Sequence, residues 1–233
     1  MSRDDWQRRL GPLYGGAVAL VHSTSWRWPI DVRDEQRSAG WVVAVGLPIG
    51  VIAYLAAALV RGLHLPLAIA ALVGLAALSA ASAALIEKGV FERVSGEVPG
   101  MLVLVFGTLI RAAAILSIAP AHWLGVLVST ALVGRWAAVF LQAIGDPILD
   151  DHAPRSLVAT PAPAWLTAAL GLAVAAVATI ALGKAGLAAV LLAAAAAFVL
   201  GVDAQRRDHG LSAPVVATAA AIGELLVLLA ATV

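Results

Sequence analysis

This sequence predicts an all-α, polytopic integral membrane protein with about seven transmembrane helices, and three observations lead to that fold class. Hydrophobic residues make up 62% of the 233-residue chain and charged residues only 12%, whereas about a quarter of a soluble domain is charged. The apolar residues gather into runs close to the roughly 20 residues a helix needs to cross a bilayer. Lys and Arg concentrate in alternate connecting segments, the asymmetry that orients a membrane protein.

Residues 1–40 read as an N-terminal segment on the cytoplasmic side or at the interface, and 41–233 as a single transmembrane helical domain. In the N-terminal segment Arg8 and Arg9 precede a short apolar stretch, a pattern that resembles a signal peptide. No cleavage site follows; Trp26-Arg27-Trp28-Pro29 and a charged run come instead. Indole rings settle at membrane interfaces, so this stretch is expected to be amphipathic or half-inserted.

The spans fall near 41–60, 67–86, 99–118, 122–144, 164–182, 185–202 and 213–233. In the first, Gly46 and Gly50 have the small-residue spacing that lets helices approach closely. The second is read as one span. Tight turns at Ala119-Pro120-Ala121 and Gly183-Lys184 separate the third span from the fourth and the fifth from the sixth.

With the N-terminus inside, Arg3, Arg8, Arg9, Arg27, Arg33, Arg37, Lys88, Arg93, Arg155, Arg206 and Arg207 are cytoplasmic, against Arg61 and Lys184 opposite. The expected location is therefore the inner (plasma) membrane, multi-pass, with the charged face cytoplasmic. The lipid bilayer is one partner. A net charge of +1 argues against nucleic acid as another. The absence of cysteine excludes disulfides and thiolate-held zinc or iron–sulfur centres.

Three ionisable residues lie inside spans, where insertion costs roughly 2.5–3.5 kcal/mol each. At 1.5 Å per residue, Arg111 is about 18 Å and Glu224 about 17 Å from the cytoplasmic starts of their helices, and Arg135 about 14 Å from the end of its own. Similar depth on three helices suggests one polar cavity open to the cytoplasm, or a pair clamping helices together. Between the second and third spans, Glu87, Lys88, Glu92, Arg93 and Glu97 form a charged loop with Gly89 and Gly96. Grouped carboxylates at a membrane surface can hold Mg²⁺ and adjacent cations can hold phosphate. Asp146, Asp150 and Asp151 after the fourth span are further metal-ligand candidates. There is no Gly-rich phosphate loop, HExxH or Ser/His/Asp spacing, and the five His residues are scattered.

Several segments resemble the cobalamin synthase family, adenosylcobinamide-GDP ribazoletransferase. Trp26-Arg27-Trp28-Pro29 stands where that family has Thr-Arg-Leu-Pro, and Gly46-Leu47-Pro48-Ile49-Gly50 where it opens its first span. Gly134-Arg135-Trp136 is similar to its mid-chain Arg helix, and Gly223-Glu224-Leu225-Leu226 to its last helix. The family's acidic signature falls on 88–96, where Gly89, Glu92 and Gly96 keep the frame. Lys88 and Ser95 replace its first and last Asp, and the Arg-Asp-Ser-Arg segment that follows has no counterpart.

The resemblance implies a divergent, seven-span, Mg²⁺-dependent transferase. α-Ribazole or its phosphate would attack the diphosphate of adenosylcobinamide-GDP and release GMP. The implied roles are Glu92, Arg135 and Glu224 as catalytic residues, and Arg27, Lys88, Arg93 and Arg111 in binding a nucleotide-diphosphate-linked corrinoid or similar small molecule. Metal would be held by Glu87, Glu92 and Asp146. A non-catalytic relative serving as a binding or scaffolding protein is the alternative. A small transporter is a third reading, which the lack of a repeated pair of broken helices disfavours.

Overall fold

The computed structural model describes residues 3–26, 39–94, 96–148, 156–159 and 161–233. The described residues form ten α-helices and no strand: α1 (Arg3–Leu10), α2 (Tyr14–Ser23), α3 (Ala39–Gly62), α4 (Leu67–Ala81), α5 (Leu85–Arg93), α6 (Glu97–Ser117), α7 (Trp123–Ile144), α8 (Ala164–Leu182), α9 (Lys184–Asp208) and α10 (Ala213–Ala230). Six are long and apolar enough to cross a membrane, or seven when α4 and α5 count as one bent span. The chain is a membrane-embedded helical protein, with six apolar helices and the bent α4–α5 pair near the positions that hydropathy indicates.

The second span departs from the expected continuous helix. α4 and α5 meet at an angle of 83°. The chain turns because Ala83 and Ala84 adopt left-handed backbone conformations, with φ of 54° and 52°. Such φ values cost an L-residue about 1–2 kcal/mol. The turn recovers hydrogen bonds: the N–H of Ala83 donates to Ala80 O at 3.0 Å and that of Ala84 to Ser79 O at 2.8 Å, capping carbonyls that a broken helix would orphan. Among the described residues this is one bent pair, without a partner elsewhere in the chain.

α7 is the centre of the bundle, packed by α3, α8, α9 and α10. Its sequence explains the placement, since Thr130, Arg135 and Gln142 would strand polar atoms in hydrocarbon on a lipid-facing helix. Inside, Thr130 Oγ1 donates to Val126 O at 2.8 Å. Gln142 Nε2 donates to Ala138 O at 3.0 Å and Leu157 O at 3.1 Å, and its Oε1 accepts the Ala159 N–H at 2.8 Å. Small residues set how closely the neighbours approach. A methyl on Gly50 would stand 2.5 Å from Val128 Cα, and one on Gly46 2.8 Å from Ala131 O. The close packing expected of this pair is the α3–α7 seam.

The N-terminal helix α2 is buried against the bundle. Gly15 and Gly16 lie under the Trp41 ring. His22 Nε2 donates to Val158 O at 3.2 Å, and the Ser25 N–H donates to Ala81 O at 3.0 Å, so this segment reaches the break between α4 and α5.

Cross-contacts sort the loops into two ends. At one end Arg93 pairs with Asp208 at 2.7 Å and Asp203 at 3.5 Å, tying the α5–α6 turn to the foot of α9. At the same end the Leu211 N–H donates to Asp146 O at 2.8 Å and the Ile148 N–H to Leu211 O at 2.9 Å. At the other end the Arg61 guanidinium lies over the Trp123 ring, 5.9 Å from its centroid.

Candidate functional site

The break in the second span positions the principal polar cluster. Glu87 lies in the first turn of α5, where a carboxylate favours the partial positive charge of a helix start. It accepts a hydrogen bond from the Ser79 hydroxyl, one turn before the break. Arg111 from α6 reaches the same oxygen, with Nη1 3.5 Å from Glu87 Oε1. The same guanidinium reaches α10, with Nη2 3.2 Å from Glu224 Oε2.

Arg135 sits beside this chain of charges, 0% exposed. Its Nη2 donates to Ser82 Oγ at 2.8 Å and its Nη1 to Ala131 O at 3.4 Å. Ser82 in turn donates to Leu78 O at 3.0 Å, so the serine at the break holds the arginine from the central helix. Glu224 lies against bare backbone: a methyl on Gly134 would come within 2.6 Å of Glu224 Cγ and 2.9 Å of Ala220 O. Glycine at 134, immediately before Arg135, therefore makes room for the carboxylate on α10.

Three buried atoms of the cluster have no hydrogen-bond partner among the described residues: Glu87 Oε2, Glu224 Oε1 and Arg135 Nε. Orphaned buried polar atoms cost roughly 1–3 kcal/mol each, more when charged. Buried polar groups in native proteins are nearly always paired, so these atoms mark the cluster as a candidate site.

A cavity of about 220 Å³ opens beside the cluster, between α5, α6 and α10, with Glu87 and Arg111 in its wall. Arg135 and Glu224 lie behind that wall.

The structure thus joins Glu87, Arg111 and Glu224 in one ion-paired chain beside Arg135. The other candidates are placed apart. Glu92 is exposed and pairs with Lys88 one turn earlier on α5, at 3.7 Å. Arg93 is taken by Asp203 and Asp208. Asp146 is exposed in the turn after α7. Arg27, Asp150 and Asp151 lie outside the described residues. No group of three or more His, Cys, Asp or Glu side chains converges as a metal site among the described residues.

Ser79 and Ser82 are the members sequence reasoning missed. The available signal was two hydroxyls three residues apart at the end of an Ala-rich span, next to Glu87. Comparison of the chain with family models, with curated proteins and with solved structures returns no match.

Proposed function

We propose that this protein is a membrane-embedded transferase of the cobalamin synthase type, acting on a diphosphate-linked substrate at the charged end of its bundle. The observation that supports it most is the Glu87–Arg111–Glu224 chain with Arg135 beside it, contributed by α5, α6, α7 and α10 around a helix break. Broken helices lined by charges are where membrane proteins place polar chemistry, because irregular backbone survives at that depth only around a cavity or other protein.

In this reading the acceptor oxygen of α-ribazole phosphate attacks the diphosphate of adenosylcobinamide-GDP. A new P–O bond forms on the cobinamide-side phosphorus, the phosphoanhydride bond to GMP breaks, the acceptor hydroxyl's proton passes to water, and GMP leaves. Arg111, in the cavity wall, would meet phosphate oxygens, and Arg135, buried behind that wall, would add positive charge and hold the site's shape. Mg²⁺ commonly takes one or two carboxylates and completes its shell with substrate phosphates. Glu87, in the cavity wall, is the described residue that fits such a role, and the ion would supply charge neutralisation. The charged end faces the cytoplasm of an inner-membrane protein in this proposal, on the strength of eleven Lys and Arg against two.

The test is GMP release by the purified protein given adenosylcobinamide-GDP, α-ribazole phosphate and Mg²⁺, with Arg135→Lys and Glu87→Gln alongside. Release by the native chain that both variants lose is expected. Background release from all three overturns the reading.

A specific observation favours the second reading, a non-catalytic binding or scaffolding protein. Glu92, the acid the family signature would make a metal ligand, stands exposed beside Lys88 and away from the buried cluster. Background GMP release together with saturable binding of adenosylcobinamide-GDP would select it.

A further inference from the structure

α5 packs against both α6 and α10, the two helices that the Arg111–Glu224 pair joins, and lends Ile86, Glu87 and Val90 to the cavity wall. Arg135 and Glu224 are fully buried behind that wall, so nothing reaches either charge while α5 stays in place. The way α5 is attached bears on whether it does. Of its nine residues only Ile86 and Gly89 are buried. A methyl on Gly89 would stand 2.2 Å from Ala217 Cβ, so α5 meets α10 there through bare backbone rather than an interlocking side chain. Segments with few buried side chains open at lower free energy than the core around them.

Both ends of α5 are pivots. Ala83 and Ala84 hold left-handed backbone at its start, and Gly96 has φ of 100° just beyond its end. Positive φ at an alanine persists only where the surroundings enforce it, and such strain gathers at switch segments. Hinges are a few residues at element ends that absorb changes in φ and ψ. Glu87, near the first pivot, is held by the Ser79 hydroxyl and Arg111 and moves least in a swing. Arg93, at the far end, moves most, and its ties are the ion pairs to Asp208 and Asp203 on α9. All three side chains are partly exposed, and ion pairs in such settings are weak and screened by salt. We infer that α5 is a hinged lid over the buried charges: it turns on Ala83–Ala84 and Gly96, is latched to α9 through Arg93, and uncovers the Arg111–Glu224 pair when the latch opens.

The lid goes beyond the transferase reading and stands without it. The chain has no cysteine, so introduced thiols report the motion in the full-length protein in detergent. Ile86→Cys, on the buried face of α5, would be timed in its reaction with the uncharged reagent N-ethylmaleimide. Adding Arg93→Gln is expected to speed that reaction about fivefold, the effect of losing two weak ion pairs. High salt should speed it with Arg93 present and leave it unchanged in the Arg93→Gln background. Ser129→Cys, buried in α7, should keep its rate throughout. A second measurement leaves Ile86 intact and guards against a folding defect there: nitroxide labels at the exposed positions Glu92→Cys on α5 and Arg206→Cys on α9 should show dipolar broadening in frozen samples that Arg93→Gln diminishes. An unchanged rate or unchanged broadening in the Arg93→Gln protein overturns the lid. An acceleration at Ser129→Cys as large as that at Ile86→Cys means general loosening and overturns it too. No substrate enters either measurement, so an inactive transferase leaves each outcome readable.

Discussion

Arg111 Nη2 stands 3.2 Å from Glu224 Oε2, and the pair joins α6 to α10 beside the cavity between them. Glu224 has almost no exposed side-chain surface and Arg111 little. Removing one partner of a buried pair leaves an uncompensated charge and costs about 3–5 kcal/mol, whereas replacing both by apolar residues is often neutral. Glu224→Ala should therefore lower the thermal midpoint of the detergent-solubilised protein, and the double variant Arg111→Met/Glu224→Leu should recover only part of the loss, because it leaves Glu87 without its arginine. A double variant no better than the single one would mean that α10 is held in place by other contacts.

Two glycines make opposite predictions. Gly134→Ala puts a methyl 2.6 Å from Glu224 Cγ and 2.9 Å from Ala220 O, overpacking that costs about 1–3 kcal/mol. Gly107→Ala meets nothing within 4 Å and gains roughly 0.5–1 kcal/mol from the lower backbone entropy of the unfolded chain. Thermal denaturation of the two single variants under one condition checks both signs at once.

Two buried serines should likewise part company. Ser82→Ala removes the acceptor that Arg135 Nη2 uses at 2.8 Å and should destabilise by about 1–3 kcal/mol. Ser129 Oγ is buried without a partner among the described residues, so Ser129→Ala should be neutral or stabilising. Equal losses at the two positions would show that Ser82 does not anchor the arginine.

Orientation is open to a direct measurement, because the native chain has no cysteine. Lys184→Cys, at the first residue of α9, should react with a membrane-impermeant maleimide in intact cells. Arg207→Cys, near the foot of α9, should react only after permeabilisation. The reverse pattern would place the charged end outside and remove a cytoplasmic nucleotide substrate from consideration.

The positions of the spans follow from composition alone, since a run of about 20 apolar residues has one stable arrangement in hydrocarbon: a helix that satisfies its own backbone. Gly46 and Gly50 similarly announced a close helix contact, though not that α7 supplies it. The break at Ser82-Ala83-Ala84 left no such trace. Alanine is the best helix former, and nothing local marks Ala83 and Ala84 for positive φ.

The same limit applies to the charges. Arg111, Arg135 and Glu224 were identifiable one by one, because isolated charges in spans are costly and need partners. Which residues partner them was decided by helix packing. Glu87 and Glu92 are neighbours in one charged loop of the sequence, yet the turn of α5 sends Glu87 inward to Arg111 and leaves Glu92 outside with Lys88. Hydropathy thus determined that this is a membrane bundle, and the pattern of Lys and Arg set an expectation for its orientation, as both depend on sums along the chain. Only the tertiary structure decided where the second span breaks and which charges meet there, because those outcomes depend on contacts between residues far apart in sequence.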